Sequence, residues 1–543
     1  MDSFRIKATE MAKDFLENSK DYRMGFVEAE QSNPKTRNLD RIFKECPADG
    51  VRTLFSVDED LIKLYKNALY SESFDGFCEK IEATLLGGGR IILSGCGSSG
   101  RLCMGAERAF RRAAQKYQKP ELDEQITTIM TGGDYAVIRA VEFFEDYQSL
   151  SAKQVDELEA GDGDLLIGVT ATAETTSVLG TAQRAAERGA FVYMIVCSDP
   201  QKLMGKMERA DKLYSRNDVA VVYLPCGAMA VTGSTRMQSS SIEQAIIMSA
   251  FEIVLAKMFG ENVSKQYLCN GFEKMISNIT EDACVKAIAD YAVCESELYK
   301  NGGYVTYFTE NFMLDILTDS TERPPTFAMP PIRQQCRKDL ELSWAFAKNP
   351  SLSTREAWMD CFGRTPRCIE WTEEVYRSLG VNEKIPDISF DRLSEFEIGY
   401  ERDGEREEKA DTIAVWIDTK PATENFEKCA ASYKRKLELV FSPSGCETAL
   451  EIFEHIGMKM ILNAISTSTA ALFGRISGNY MTFLDMSNKK LIDRGSRIIS
   501  ELCGVEYEMA LEELLYEYLK VKASGETASP AQKAIQKLGV KGD

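Results

Sequence analysis

At 543 residues the chain exceeds what one hydrophobic core usually organises, so two domains with helical additions are expected. A net charge of −19, from 84 acidic against 65 basic side chains, disfavours nucleic acid and anionic membrane as partners, because both require a basic face. His455 is the single histidine and the fifteen cysteines contain no CxxC pair, which argues against histidine triads, metal sites and a disulfide framework, and for reduced cytoplasm. Proton transfer then falls to carboxylates, lysine or tyrosine, with no cofactor or metal expected.

In chain order, the opening stretch MDSFRIKATEMAKDFLENSKDYR is charged throughout and has no apolar signal region, and nowhere do eighteen apolar residues run together, so neither secretion nor membrane spanning is expected. Residues 1–60 read as a helical arm broken at Asn33-Pro34. From 61 to 255, helix-length segments separate the apolar runs Arg90–Ser94, Gln125–Met130, Asp164–Thr170, Phe191–Cys197 and Ala220–Leu224, the pattern of βαβ units and a parallel sheet. A helical connector over 256–300 leads to a second α/β series over 301–495, with strands at Tyr304–Thr309, Asp411–Trp416 and Lys436–Phe441. Within it, Ser394–Lys409 is dense in charge and reads as a solvated excursion. Residues 496–543 form a small helical cap containing the linker ASGETASPAQ.

The sharpest local signal is RIILSGCGSSGR at Arg90–Arg101, an apolar strand entering Gly95, Gly97, Ser98, Ser99 and Gly100 before a helix. Glycines let the backbone approach an oxyanion, the serines offer hydroxyls, and the helix start adds free N–H groups and its positive dipole end. Paired serines suit a monophosphate, and the Lys-Ser/Thr ending of a nucleotide-cradling loop is absent. The bland alternative is that Ser98 and Ser99 merely cap the helix.

This loop resembles the phosphate loop of sugar-isomerase (SIS) domains. Glu30–Pro34, Gly132-Gly133 with Ala140–Asp146, and Val231–Met237 are similar to N-acetylmuramic acid 6-phosphate etherases and to glucokinase regulatory protein. In the second half, Asp319–Phe327, Lys459–Asn463, Ser466-Thr467, Gly474 and Asn479 carry further pieces of the same pattern. The resemblance implies an α/β fold with two SIS-type domains, their parallel sheets flanked by helices, and a C-terminal helical cap.

The losses in the two halves are complementary. In the first, the loop is intact, but the etherase general-acid glutamate aligns with Ala109, Glu107 points away, and a family lysine aligns with Gln244. In the second, the loop position reads Phe308–Leu314, without glycines and with a carboxylate where phosphate would lie, yet Glu322 and Lys459 are kept. The resemblance therefore implies one composite site in a pseudo-dimer within a single chain. Gly95, Gly97, Ser98, Ser99 and Gly100 hold phosphate, Thr170 and Thr172 line the sugar, and Lys459 joins them from the second half. Glu145 and Glu322 stand as the candidate catalytic pair. Glu174 replaces an etherase arginine, and a carboxylate facing the ligand there would repel a muramic acid's lactyl group. His455 and the cysteines, Cys96 included, read as structural.

The ligand class implied is a hexose or amino-sugar phosphate. An etherase-type lyase acting on N-acetylmuramic acid 6-phosphate is one reading, and a non-catalytic sensor of fructose phosphates acting on a partner such as a sugar kinase is the other. Sugar isomerisation is weaker, for want of a histidine to open the ring.

Overall fold

The computed structural model describes residues 3–409, 411–443, 446–484, 486, 488–526 and 528–540. Met1 and Asp2 of the opening stretch and Thr527 of the C-terminal linker lie outside the described residues. A five-stranded parallel sheet has the order β2-β1-β3-β4-β5, with β1 Ile91–Gly95, β2 Ile126–Met130, β3 Leu165–Thr170, β4 Phe191–Val196 and β5 Val219–Tyr223. A four-stranded parallel sheet has the order β7-β6-β8-β9, with β6 Tyr304–Phe308, β7 Ala345–Lys348, β8 Thr412–Asp418 and β9 Arg435–Val440. The four strands of the second sheet correspond in order to β2, β1, β3 and β4, with β6 taking the place of β1 and β8 that of β3. In each sheet the chain reverses its direction of winding beside the first strand, where α/β sheets open a crevice at the strand carboxyl ends.

Strand β7, AFAK, is absent from the sequence expectation. It is only four residues long and follows a proline-rich, non-periodic stretch, so no alternation marks it. The charged segment 394–409 is corrected as well. Phe396 and Ile398 are buried anchors, and the buried Arg406 donates to Ser343 O at 2.9 Å while its guanidinium lies over Tyr304 and Phe346. Its charge density therefore did not mean exposure, because a paired guanidinium can be carried inside by apolar neighbours.

One continuous core joins the halves. The Gln238–Met258 helix packs on Ile452–Leu472, and Gly97–Lys116 packs on Met313–Phe327. By length and composition, Gln238–Met258 is apolar enough to cross a membrane, but 94% of that window is buried inside the protein, the signature of a core helix. The N-terminal Ser3–Asn18 helix packs on Tyr507–Ser524 of the C-terminal helices. His455 Nδ1 lies 2.9 Å from Asp315 Oδ2 with its ring against Phe312, a structural arrangement. Among the described residues no disulfide joins any of the cysteines, and there is no cluster of metal-ligating side chains.

Candidate functional site

A cavity opens at the carboxyl end of β1, at the winding reversal of the first sheet. Its walls come from three regions of the chain: Gly97, Ser98, Ser99, Glu145, Thr172 and Ser234–Arg236 from the first half; Glu322, Pro325 and Thr326 from the second; and Asn488, Lys490 and Arg494 from the Lys489–Cys503 helix and its cap.

The loop is built by a strand that cannot continue. Gly97 adopts φ +54, and a Cβ on Gly100 would stand 2.1 Å from Met130 Sδ, so Gly100 lets the new helix press against β2. The helix begins at Gly97 with Cys96 as its cap. Ser98 and Ser99 thus lie within the first turn rather than at the capping position, beside its free N–H groups. Gly95 and Gly100 shape this turn from behind the cavity wall. Thr170 also stays behind it, its hydroxyl 2.8 Å from Thr175 Oγ1, whereas Thr172 reaches the wall.

The structure brings Glu322 to the Gly95–Gly100 loop across the boundary between halves. One of its oxygens lies 3.8 Å from where a Cβ of Gly97 would be, and it is ion-paired with Arg101. Arg101 is fully buried and donates to Val137 O at 3.1 Å and Ala136 O at 2.7 Å. Also in the wall, Glu145 Oε1 is 3.1 Å from Lys490 Nζ. Burial opposes the charge on Lys490, but Glu145 and Glu174 outweigh it and hold the ammonium above the ordinary lysine range. Among the described residues, Ser234 Oγ is buried in the wall and has no hydrogen-bond partner.

Lys459 is not brought to the cavity wall. Its ammonium is buried and donates to Arg236 O at 2.8 Å, Met237 O at 3.2 Å and Ser241 Oγ at 2.8 Å, so it holds the 233–237 turn from behind. Burial lowers it to about 7. Glu174 also departs from expectation: Arg209 pairs with it at 2.7 Å, Thr172 Oγ1 donates to it at 3.2 Å, and it does not line the cavity, although its charge still acts on Lys490 in the wall. Glu107 is buried against Arg111 and Arg364, away from the site.

In the second sheet the matching turn is filled from within. Asp418, at the end of β8, accepts from Thr309 Oγ1 at 2.9 Å and from the backbone N–H groups of Glu310 and Asn311 at 3.3 Å each. A carboxylate therefore sits where the first sheet leaves its anion-seeking groups free.

Sequence reasoning missed Lys490 and Arg494. The available signal was Asn488, whose side chain accepts from Leu491 N at 2.9 Å and so starts a helix with Lys489, Lys490 and Arg494 on its first two turns. Arg494 is gripped by Glu30, at 2.5 Å and 3.0 Å, which ties the N-terminal arm to the cavity wall, and Arg497 adds a further pair at 2.8 Å. Gly233 lies against this pair at φ +75, and a Cβ there would meet Arg494 Nε at 2.6 Å. Burial alone would raise Glu30, but Arg494 and Arg497 reverse this and hold it well below the usual carboxylate range. A depressed folded value contributes stability that is complete above the unfolded glutamate value of about 4.3 and lost as pH falls below it. Glu30→Gln is therefore expected to melt lower than wild type at pH 7, with the gap beginning to narrow below about pH 5 and still narrowing through about pH 2. Thermal melts of both proteins across that range measure it, and a gap constant with pH would sink the assignment.

Over residues 76–186 the chain matches the glucokinase regulatory protein N-terminal SIS domain. The N-acetylmuramic acid 6-phosphate etherase of Klebsiella aerogenes is 28% identical over 255 residues, covering 42% of this chain and 80% of the etherase. That of Photorhabdus laumondii is 30% identical over 223 residues, covering 40% of this chain and 65% of the etherase. Among solved structures, the C-terminal domain of glucosamine-fructose-6-phosphate aminotransferase from Francisella tularensis aligns with a TM-score of 0.43 and 11% identity, over 78% of this chain and 96% of that domain. With two parallel sheets of matching strand order and a hydroxyl-rich loop at the head of the first, the chain resembles both the SIS domain of glucokinase regulatory protein and the N-acetylmuramic acid 6-phosphate etherases.

Proposed function

We propose that this protein binds a hexose or amino-sugar phosphate at one composite site between its two α/β halves, and that it acts as an etherase-type carbon–oxygen lyase on N-acetylmuramic acid 6-phosphate or a related amino-sugar phosphate. The observation carrying this reading is the meeting of Ser98 and Ser99 with Glu145 and Glu322 around one cavity. The phosphate would rest on the first turn of the Gly97–Lys116 helix, among the hydroxyls of Ser98, Ser99 and Thr172. Glu145 would remove the C2 proton of the open-chain sugar. The C3–O bond then breaks, Glu322 delivers a proton to the departing lactate oxygen, and water adds across the new double bond.

One observation favours a second reading, a non-catalytic phosphosugar sensor that biases binding to a partner such as a sugar kinase. Glu322 is paired with buried Arg101, and a carboxylate so held accepts hydrogen bonds from sugar hydroxyls and must leave its partner before donating a proton. A thermal-shift screen of N-acetylmuramic acid 6-phosphate and fructose phosphates, with lactate release assayed in parallel, separates the two. Lactate release supports the lyase, and stabilisation by fructose phosphates without turnover supports the sensor.

The composite site has its own test. Ser98→Ala and Glu322→Ala are each expected to weaken binding of the same stabilising ligand by about tenfold or more, since each removes a polar contact worth roughly 1–3 kcal/mol. Unchanged affinity in Glu322→Ala, measured by calorimetry, would show that the second half takes no part.

A further inference from the structure

Beneath the phosphate loop, on the side away from the cavity, lies a carboxyl group that the proposed chemistry does not use. Glu243, on the Gln238–Met258 helix, is completely buried. Its Oε2 is 3.4 Å from Ser99 Oγ and its Oε1 is 3.7 Å from Cys197 Sγ; among the described residues these are its hydrogen-bond neighbours. Lys459 is the nearby cation, but its three donor directions go to Arg236 O, Met237 O and Ser241 Oγ, so Glu243 has no ion pair. A buried carboxyl without a cation is far cheaper to keep neutral than charged.

A neutral carboxyl has a proton to give. Donated to Ser99 Oγ, it occupies the hydroxyl's lone pair and turns the hydroxyl's own hydrogen outward, toward an anion on the loop. An ionised Glu243 would do the reverse, drawing the Ser99 hydrogen inward and placing a second negative charge behind the phosphate.

We infer that Glu243 is a positioning residue for the anion site, that it holds Ser99 in its donating orientation only while protonated, and that phosphosugar binding is thereby coupled to proton uptake at Glu243. This deepens the phosphosugar reading and rests on it.

The surroundings set the direction of the dependence. Burial raises Glu243 to about 8, with Cys197, Ser99 and Lys459 opposing more weakly. The other titratable groups facing it are Cys103 on the Gly97–Lys116 helix and Cys197 after β4, with Cys226 beyond it. Burial holds the thiols of Cys103 and Cys197 well above their ordinary value, so both stay neutral through this range. Lys459, lowered to about 7 by burial with Asp58 opposing, and Asp58 behind it, raised to about 7 by burial, are the remaining groups whose charge changes nearby. Binding is therefore strongest below pH 8 and weakens above it. The ligand contributes no slope there, since a phosphate monoester with its second pKa near 6 is already a dianion.

The test is calorimetric titration with fructose 6-phosphate, and with inorganic phosphate as a minimal probe, from pH 6.5 to 9.5. For the wild type, Kd is expected to rise about tenfold per pH unit beyond the transition. Glu243→Gln offers a permanent donor to Ser99 and is expected to bind with a flat profile over the same range. A flat wild-type profile overturns the inference, and so does an equal slope in both proteins, which would point to Lys459. Should the variant fail to fold, titration of the wild type at pH 8.5 in buffers of different ionisation enthalpy decides. Close to one proton taken up per ligand supports the inference, and none overturns it. Absence of binding by either probe and by N-acetylmuramic acid 6-phosphate at every pH would instead defeat the phosphosugar reading itself.

Discussion

Glu145→Gln is expected to lower lactate release from N-acetylmuramic acid 6-phosphate by roughly a hundred- to ten-thousand-fold, the usual contribution of a positioned general base. The substitution is nearly isosteric. Its amide oxygen can still accept from Lys490, now at 3.1 Å from Glu145, so the cavity keeps its shape while the group able to take a proton is gone. Ligand-induced stabilisation should therefore survive in the variant, separating chemistry from binding. Turnover within a few-fold of wild type, in a steady-state lactate assay, would remove Glu145 from the reaction.

Arg236→Met is expected to destabilise the protein by about 3–5 kcal/mol, the range for removing one partner from a buried ionic network. Arg236 is buried and reaches Asp319 at 2.6 Å, Ser466 at 3.0 Å and Asn463 at 3.2 Å through one guanidinium nitrogen, and Thr467 at 3.0 Å through the other. These partners all belong to the second half, so this one side chain from the first half satisfies polar groups across the boundary. Methionine fills much of the volume but strands them. Asp319 would keep Arg323, at 3.0 Å, which limits the loss to the lower part of the range if the side chains relax. Urea unfolding with and without the substitution measures it, and a change under about 1 kcal/mol would show that the network adds little to the packing around it.

The same network explains why a stretch of sequence can carry a pattern without showing its purpose. Asp319, Arg323, Asn463, Ser466 and Thr467 read as family signature residues, and in three dimensions they hold Arg236 rather than line the cavity. Lys459 belongs with them. Its position on an apolar helix gave no sign of whether it faces a ligand or a turn, because both need a buried ammonium with several acceptors.

What the amino-acid order determined by itself is local. Apolar runs of five to seven residues separated by helix-length segments specify parallel sheets, and a strand followed by Gly95, Gly97, the serine pair and Gly100 specifies an anion-seeking helix start, since each depends on neighbours within one turn or one crossover. Strand β7 escaped for the same reason, being too short to display a period. Tertiary structure alone decided which distant charges meet: Glu322 with Arg101, Glu145 with Lys490, Glu30 with Arg494, Glu174 with Arg209, and Asp418 within the second loop. A side chain's partner across hundreds of residues depends on how two cores dock, and no periodicity in the chain encodes that distance.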